Sequence, residues 1–484
     1  MARVGYKDMR GYLNILEKAG LLKHVKTEVD LKHEIGAISC MSLDDRGPGI
    51  MFENIKGHPG GKLAVNIMST TEQMALAFNT EDDDVEIVNT IHAGKANPIP
   101  PKVVDSAVCQ EVVETGDQID VYSIPTPIWH EKDGGPYIGT TAGIITSDPD
   151  TGYLNSGMYR CMIIDKNHIS VEARGSHEIG EKPNSRGNMH GGHVDVLKWE
   201  QLGKNAPIAV AIGMDPMTTY VTAQGVPSAK VEHAEYAVAG SWLGEALEIV
   251  KCKTNDLLVP AWSEIVLEGE VLRDQRTPEG PWGENADIYA ESPAVFLMKI
   301  NAITHRKDPI NYGLICRPLQ DYPKFLMGGA LKGYLMSKLD IVKDAYVFPR
   351  TGNRPFAVVA ARVRKPEDVQ AVVDAVATMP SESYLMVKPR WLVVLDEEAE
   401  IHDPGDLMWR LTLAVRPDKD VSVLDVEGGY VGGVKMMVID ATFRNKPEME
   451  WGPGAGENED PPVARTSKEL QQKVRSRWKD YGLA

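Results

Sequence analysis

Two carboxylates stand five residues apart in Pro278-Glu279-Gly-Pro-Trp-Gly-Glu284. Two prolines stiffen this stretch and two glycines loosen it, so it reads as a loop that folds back and turns both side chains inward. Glu279 and Glu284 are then candidates for an acid/base pair, with an arginine such as Arg160 holding one of them ionised. A carboxyl that keeps its proton in such a network can deliver it to carbon. The competing reading is an exposed acidic turn. Trp282, between the two glutamates, argues against it, because a tryptophan is wasted on the surface.

Three other groups of residues could serve the same chemistry. In Asn155-Ser-Gly-Met-Tyr-Arg160 a strand of period two puts Asn155 and Arg160 on opposite faces, unless Gly157 makes a bulge. With a bulge, an amide suited to a hard metal and a guanidinium suited to a carboxylate or phosphate reach one pocket. Alone, a strand with polar ends is the plainer reading. The segment GSHEIGEKPNSRGNMHGGH carries His177, His190 and His193, three of the chain's 12 histidines within 17 positions, and runs into a helical HVDVLKWEQLG. Its plain alternative is a surface loop. Glu235 sits in AEYAVAG, a helix of otherwise small or apolar residues, where a carboxylate is costly to bury unless paired or metal-bound. A half-exposed helix glutamate is the alternative. Lys251-Cys-Lys-Thr-Asn-Asp256 and WSEIVLEGEV look functional but read as scaffold, a turn and a strand.

The elements that must position these residues fall into three stretches. Residues 7 to 20 read as an amphipathic helix with Met9, Tyr12, Leu13 and Leu16 on one face and Gly20 at its end. GIMFENI and KLAVNIM read as strands joined by HPGG, and the proline-rich residues 95 to 137 as an extended connection into a second domain. From 138 to 320 short strands dominate, an all-β sheet or barrel with inserted helices HVDVLKWEQLG and VEHAEYAVAGSWLG. From 321 onward helices and strands alternate: FLMGGALKGYLMSKL, DAYVFP, FAVVAARV, KPEDVQAVVDAVATM, RWLVVLDEEAEI and DPGDLMWRLTLAV, a βα layered domain, then a charged terminal helix. The expected layout is 1–115, 116–320 and 321–484, in keeping with roughly 150 residues per domain.

The net charge of −17 argues against nonspecific nucleic-acid binding and against docking on anionic lipid. It allows an anionic substrate, because a site can be locally basic. The cysteines Cys40, Cys109, Cys161, Cys252 and Cys316 are odd in number and widely spaced, which fits reduced thiols better than a disulfide scaffold or structural zinc. The first twenty residues lack the apolar run of a signal peptide, and no stretch approaches 18 apolar residues, so a cytoplasmic location is expected.

NSGMYR, AEYAVAG, VKCKTNDLLVPAWSEIVLEGEV, TPEGPWGE and the terminal KVRSRWKDYGLA, in this order and spacing, together resemble the UbiD family. The resemblance implies an α/β (α+β) fold: an N-terminal α/β region, a central split β-barrel that binds flavin, and a C-terminal α/β domain used for dimerisation. It implies reversible non-oxidative decarboxylation of an aromatic, heteroaromatic or α,β-unsaturated acid on prenylated FMN. The cofactor is held through Mn2+ or another divalent metal, with K+ nearby, and is supplied by a flavin prenyltransferase. A small carboxylic acid is the substrate, and a homodimer or higher homo-oligomer such as a hexamer is the assembly. The catalytic network it implies is Glu279, Arg160 and Glu284. Asn155 and Glu235 match metal ligands, with His190 the preferred histidine and His193 and His177 open alternatives. Ser156, Met158 and Pro227 fall beside the flavin, and Lys388 in SESYLMVKPR is the nearest base for its phosphate. Two other functions compete: an ordinary flavin oxidoreductase, which needs no Glu279/Glu284 pair, and a cofactor-free assembly subunit. A metallohydrolase is a poorer fit, because one asparagine, one histidine and one glutamate are a weak water-activating set.

Overall fold

The computed structural model describes residues 4–173, 191–224, 232–317, 327–349, 355–380, 388–426, 434–443, 466 and 468–482. The first helix is Met9–Lys18, with Met9, Tyr12, Leu13 and Leu16 buried as their spacing predicts. Asp8 caps it by accepting from the Gly11 N–H at 2.8 Å. Strands Gly49–Phe52 and Lys62–Val65 pair antiparallel, with Ile50 opposite Val65, as the HPGG spacer predicts. Leu22–Val25 joins one edge of this sheet, and the other edge is filled by Ile310–Gly313, parallel to Lys62–Val65. The N-terminal sheet is thus completed by a strand from far along the chain.

The central sheet has nine strands. Its order is Tyr137–Ile138, Cys161–Asp165, His168–Val171, Tyr289–His305, Ile265–Gly283, Ala206–Ile212, Gly143–Ser147 and Leu154–Gly157, with Val112–Thr115 added alongside Tyr289–His305. WSEIVLEGEV and AVFLMKINAITH are the middles of one long hairpin whose strands run for 19 and 17 residues. The Pro278–Glu284 stretch was expected to be a folded-back loop. It is instead the far end of this hairpin, with Glu279 opposite Ser292 and Trp282 opposite Ala290. Partner strand pairing overrides its proline and glycine content. The register slips on either side of Glu279, where Pro278 and Pro281 have no N–H to give.

The connection expected over 95–137 is also more structured than its prolines suggest. Lys102–Val104 pairs with Glu248–Lys251, and Val112–Thr115 with the long hairpin. These strands are too short for periodicity to show. Helix Pro216–Gln224 has no apolar stripe in its sequence, because nearly all of it is buried. Helix Gly191–Gln201 and helix Ala234–Leu243 form where expected.

The C-terminal sheet has five strands in the order Val342–Val347, Phe356–Ala361, Trp391–Asp396, Val434–Asp440 and Val421–Val426. Val359 and Val394 pack into one core and Val358 and Val393 into another, so both faces are covered. That is why these strands read as continuous apolar runs. Helices Gly329–Lys338, Pro366–Thr378 and Pro404–Ala414 supply the alternation seen in the sequence.

A buried ion network fastens the first helix to the central sheet. The Glu264 side chain has no exposed surface. It accepts from Arg10 Nε and Nη2, both at 2.7 Å, from Arg306 Nη1 at 3.2 Å and from the Ile310 N–H at 3.1 Å. Arg306 also reaches Asp8 at 2.7 Å.

Helix Ala234–Leu243 packs by its Trp242 into a hollow at Gly94 of helix Asp84–Ala96, and the indole N–H donates to the Ile91 carbonyl at 3.2 Å. Phe78 and Tyr220 meet the same indole edge-on, with centroids 5.5 Å away in each case. In an open helix alanine would beat glycine by about 1 kcal/mol. Here an added Cβ would overlap the indole, and overpacking costs about 1–3 kcal/mol, so the steric cost wins. Gly94→Ala is expected to lower the thermal melting temperature. An unchanged or raised melting temperature would show that the indole can move aside.

Candidate active site

Strand Leu154–Gly157 and strand Cys161–Asp165 lie in different parts of the central sheet: the first pairs with Gly143–Ser147, the second with Tyr137–Ile138 and His168–Val171. Met158, Tyr159 and Arg160 turn the corner between them. This corner, rather than a bulge, removes the period-two conflict between Asn155 and Arg160. Gly157 is needed there, since a Cβ would collide with the Tyr159 phenol.

From the corner, Arg160 reaches the end of the long hairpin. Its Nε lies 2.9 Å from Glu279 Oε1 and its Nη2 lies 2.7 Å from Oε2, a bidentate pair. Its Nη1 donates to Glu284. The two glutamates and the arginine expected from the sequence therefore form one network. The Glu279 side chain is fully buried, that of Arg160 is 9% exposed and that of Glu284 is 19% exposed. Burial alone would lower the Arg160 pKa. The hydrogen bonds that the guanidinium donates to Glu279 and the charges of Glu172, Glu279 and Glu284 more than reverse this, so it stays cationic above its ordinary range. Trp282 is 3% exposed and packs on the Tyr137 ring at 4.2 Å, so the stretch is no surface turn.

A second corner lies around Asn155. Helix Gly191–Gln201 begins so close to it that a Cβ on Gly191 would overlap the Asn155 amide oxygen. The Tyr159 hydroxyl lies 3.5 Å from Asn155 Nδ2 and accepts from the Gly192 N–H at 3.3 Å. Glu235 is in the first turn of helix Ala234–Leu243 and half-buried. His233, just before it, has left-handed backbone and accepts the Leu154 N–H on Nδ1 at 3.2 Å, pinning the helix start to the strand of Asn155. Tyr159 is pushed up by burial, with the charges of Asp195 and Glu235 adding to it. Asn155 and Tyr159 are thereby brought together, with the start of the Glu235 helix pinned to the same strand.

His193 is 5% exposed, with Nδ1 3.0 Å from the Ala173 carbonyl and its ring 5.1 Å from that of Phe296. A ring nitrogen held by a carbonyl directs Nε2 toward any ligand. His177, His190 and Pro227 lie outside the described residues. Among the described residues no three His, Cys, Asp or Glu side chains converge on one point. A set of Asn155, Glu235 and His190 is not of that composition. The amide and carboxylate oxygens suit a hard divalent cation, and the Gly191-Gly192 start leaves them the room a Cβ would fill, so the residues present fit such an ion.

Ser156 is buried, 3.0 Å from Thr222 through their hydroxyls, and Met158 is half-buried beside it in the chain. The Lys388 ammonium sits at the C-terminal end of helix Pro366–Thr378, on the carbonyls of Val376 at 3.1 Å, Ala377 at 2.6 Å and Met379. It neutralises the negative end of that helix. To serve a flavin phosphate it would have to leave three carbonyls.

Tyr137 and Tyr159 were not foreseen. Tyr137 donates to Glu279, and Tyr159 links Asn155 to a helix start. The double glycine in Gly134-Gly-Pro-Tyr137 is the sequence signal that could have found the first, because it marks a close backbone approach.

Models of 3-octaprenyl-4-hydroxybenzoate carboxy-lyase match in series: its N-terminal domain over residues 13–90, its Rift-related domain over 102–318 and its C-terminal domain over 326–440. The uncharacterized protein sll0936 of Synechocystis sp. is 29% identical, covering 99% of this chain and 96% of that one. Among solved structures, the vanillic acid decarboxylase of Sedimentibacter hydroxybenzoicus in open form is 28% identical with a TM-score of 0.73, covering 99% of this chain and 100% of that chain. The UbiD-class enzyme HmfF of Pelotomaculum thermopropionicum in complex with FMN is 26% identical with a TM-score of 0.76, covering 98% and 100%. An evolved dimeric form of HmfF in complex with prFMN is 27% identical with a TM-score of 0.73, covering 93% and 98%. With successive domain models along most of the sequence and solved members matching it from end to end, the chain belongs to the UbiD family of carboxy-lyases.

Proposed function

We propose that this protein catalyses the reversible, non-oxidative decarboxylation of an aromatic, heteroaromatic or α,β-unsaturated carboxylic acid with prenylated FMN as cofactor. The observation that carries this reading is the buried guanidinium of Arg160 set between Glu279 and Glu284. The complexes of HmfF with FMN and prFMN support the choice of cofactor.

Bound, the modified flavin supplies an electron sink for the carbon that loses carbon dioxide. The chain's own residues bind the acid and manage the proton. Arg160 has five N–H donors, and three are used by the glutamates. One N–H remains on each terminal nitrogen, the pair that a substrate carboxylate requires. Glu279 holds the guanidinium in place. Glu284 is the better proton donor of the two, because its side chain is 19% exposed and can reload from solvent, whereas Glu279 is sealed.

Asn155, Glu235 and His190, with His193 the alternative, are the residues that would hold Mn2+ or another divalent ion against the cofactor phosphate. K+ nearby and a flavin prenyltransferase as cofactor source complete the reading. A homodimer or higher homo-oligomer is supported by helix Pro404–Ala414, whose Met408 is 59% and Leu413 45% exposed. Among the described residues no helix is long and apolar enough to cross a membrane. An ordinary flavin oxidoreductase would have no use for the Arg160–Glu279 pair.

Protein co-expressed with a flavin prenyltransferase tests this directly. Prenylated flavin with one divalent metal per chain, and carbon dioxide release from an aromatic or unsaturated acid, is the expected result. Plain FMN with nicotinamide-dependent turnover would overturn it. Glu284→Gln should cut turnover by about 10²–10⁴-fold while the flavin spectrum is kept. Wild-type turnover in that variant would remove Glu284 as the acid. Glu235→Gln should lose most of the bound metal on dialysis, and the flavin with it. Full metal content would take Glu235 out of the ligand set.

A further inference from the structure

The hairpin end that carries both glutamates is clasped by another segment, Trp129-His-Glu-Lys-Asp-Gly-Gly-Pro-Tyr137. Asp133 accepts the Gly283 N–H at 2.9 Å on one carboxylate oxygen and the His130 N–H at 2.9 Å on the other. The Gly134 N–H donates to the Pro281 carbonyl at 2.8 Å. The fit excludes side chains: a Cβ on Gly134 would overlap the Gly280 carbonyl, and one on Gly283 would overlap the His130 ring. Gly280 itself has φ of +108°, where other residues are strained.

Tyr137 closes this clasp. It is 1% exposed, and its ring lies 4.2 Å from that of Trp282, the residue between the glutamates. Its backbone is fixed by the pairing of Tyr137 with Met162 and by the Trp129 indole on its carbonyl at 3.2 Å. Its hydroxyl donates to Glu279 Oε1, the same oxygen that accepts from Arg160 Nε at 2.9 Å. Oε1 of Glu279 thus has two donors, Tyr137 and Arg160, and Oε2 has Arg160 alone. The hydroxyl keeps its own proton firmly, since burial and then the bond to Glu279 both push it above the ordinary tyrosine range.

Resting on the decarboxylase reading above, we propose that Tyr137 is a positioning residue for the reaction: its hydroxyl, as the second donor on Glu279 Oε1, fixes that carboxylate so that Glu279 grips Arg160 and proton delivery falls to Glu284. A phenylalanine keeps the ring against Trp282 and removes only the donor, so Tyr137→Phe separates this role from packing.

In flavin-loaded enzyme, Tyr137→Phe is expected to lower kcat about ten- to a hundredfold, with KM, flavin content and melting temperature near wild type. A crystal structure of the variant without flavin or metal is expected to show Glu279 shifted off Arg160 Nε. Wild-type kcat overturns the proposal. So does a loss of kcat that comes with a lowered melting temperature and an unmoved Arg160–Glu279 pair. If the loaded wild-type protein binds flavin but releases no carbon dioxide from any acid, it is the decarboxylase reading that fails. The crystal structure of the variant still decides the tyrosine: a displaced pair supports its positioning role, and an unmoved pair overturns it.

Discussion

A carboxylate with no exposed surface must have its charge answered inside the protein, and Glu279 is that carboxylate. Much of the central domain can be understood as the means of answering it. Arg160 is delivered by a corner between two strands that share no ladder, and Tyr137 by a short strand at the sheet edge. The long hairpin gives up its register on both sides of Glu279 so that this residue and Glu284 meet one guanidinium. Removing Arg160 or Glu279 would leave a charge buried without its complement, which is far more costly than never having buried the group. The network therefore acts as a unit.

The second corner is built on a different principle. Around Asn155 one strand and two helix starts come together, and glycines at positions 191 and 192 let the backbone approach. The first corner carries a cation of its own, whereas the second brings together an amide and a phenol, with the start of the Glu235 helix pinned to the same strand. The chain's overall charge of −17 obscures this division, since both corners depend on local arrangement.

The sequence made the chemistry more legible than the geometry. Glu279 and Glu284 were readable because a tryptophan between two carboxylates is hard to place on a surface, and Arg160 through the resemblance that NSGMYR helps to carry. Their convergence was readable too, but its cause was not: the stretch looked like a loop because proline and glycine dominate it, and only pairing with Tyr289–His305 makes it a strand. The helix Met9–Lys18 was found because one face is apolar, and the nearly wholly buried Pro216–Gln224 was missed because it has no such stripe. Tyr137 went unnoticed because the double glycine before it marks a close backbone approach but does not say that the partner is a carboxylate 142 positions away. Lys388 shows the opposite difficulty: a basic residue in the right region whose ammonium sits on a helix end.

The strand Ile310–Gly313 has a consequence for the newborn chain. On the ribosome the first hundred residues emerge with a three-stranded sheet whose Lys62–Val65 edge is open, and they stay so until residue 313 has been made. Glu264 follows the same timetable, since Arg10 precedes it and Arg306 comes after it. The amino-terminal region therefore cannot be finished before the barrel is translated. An unpaired edge strand is a template for wrong pairing, and this edge lacks its native partner while residues 66 to 310 are being made.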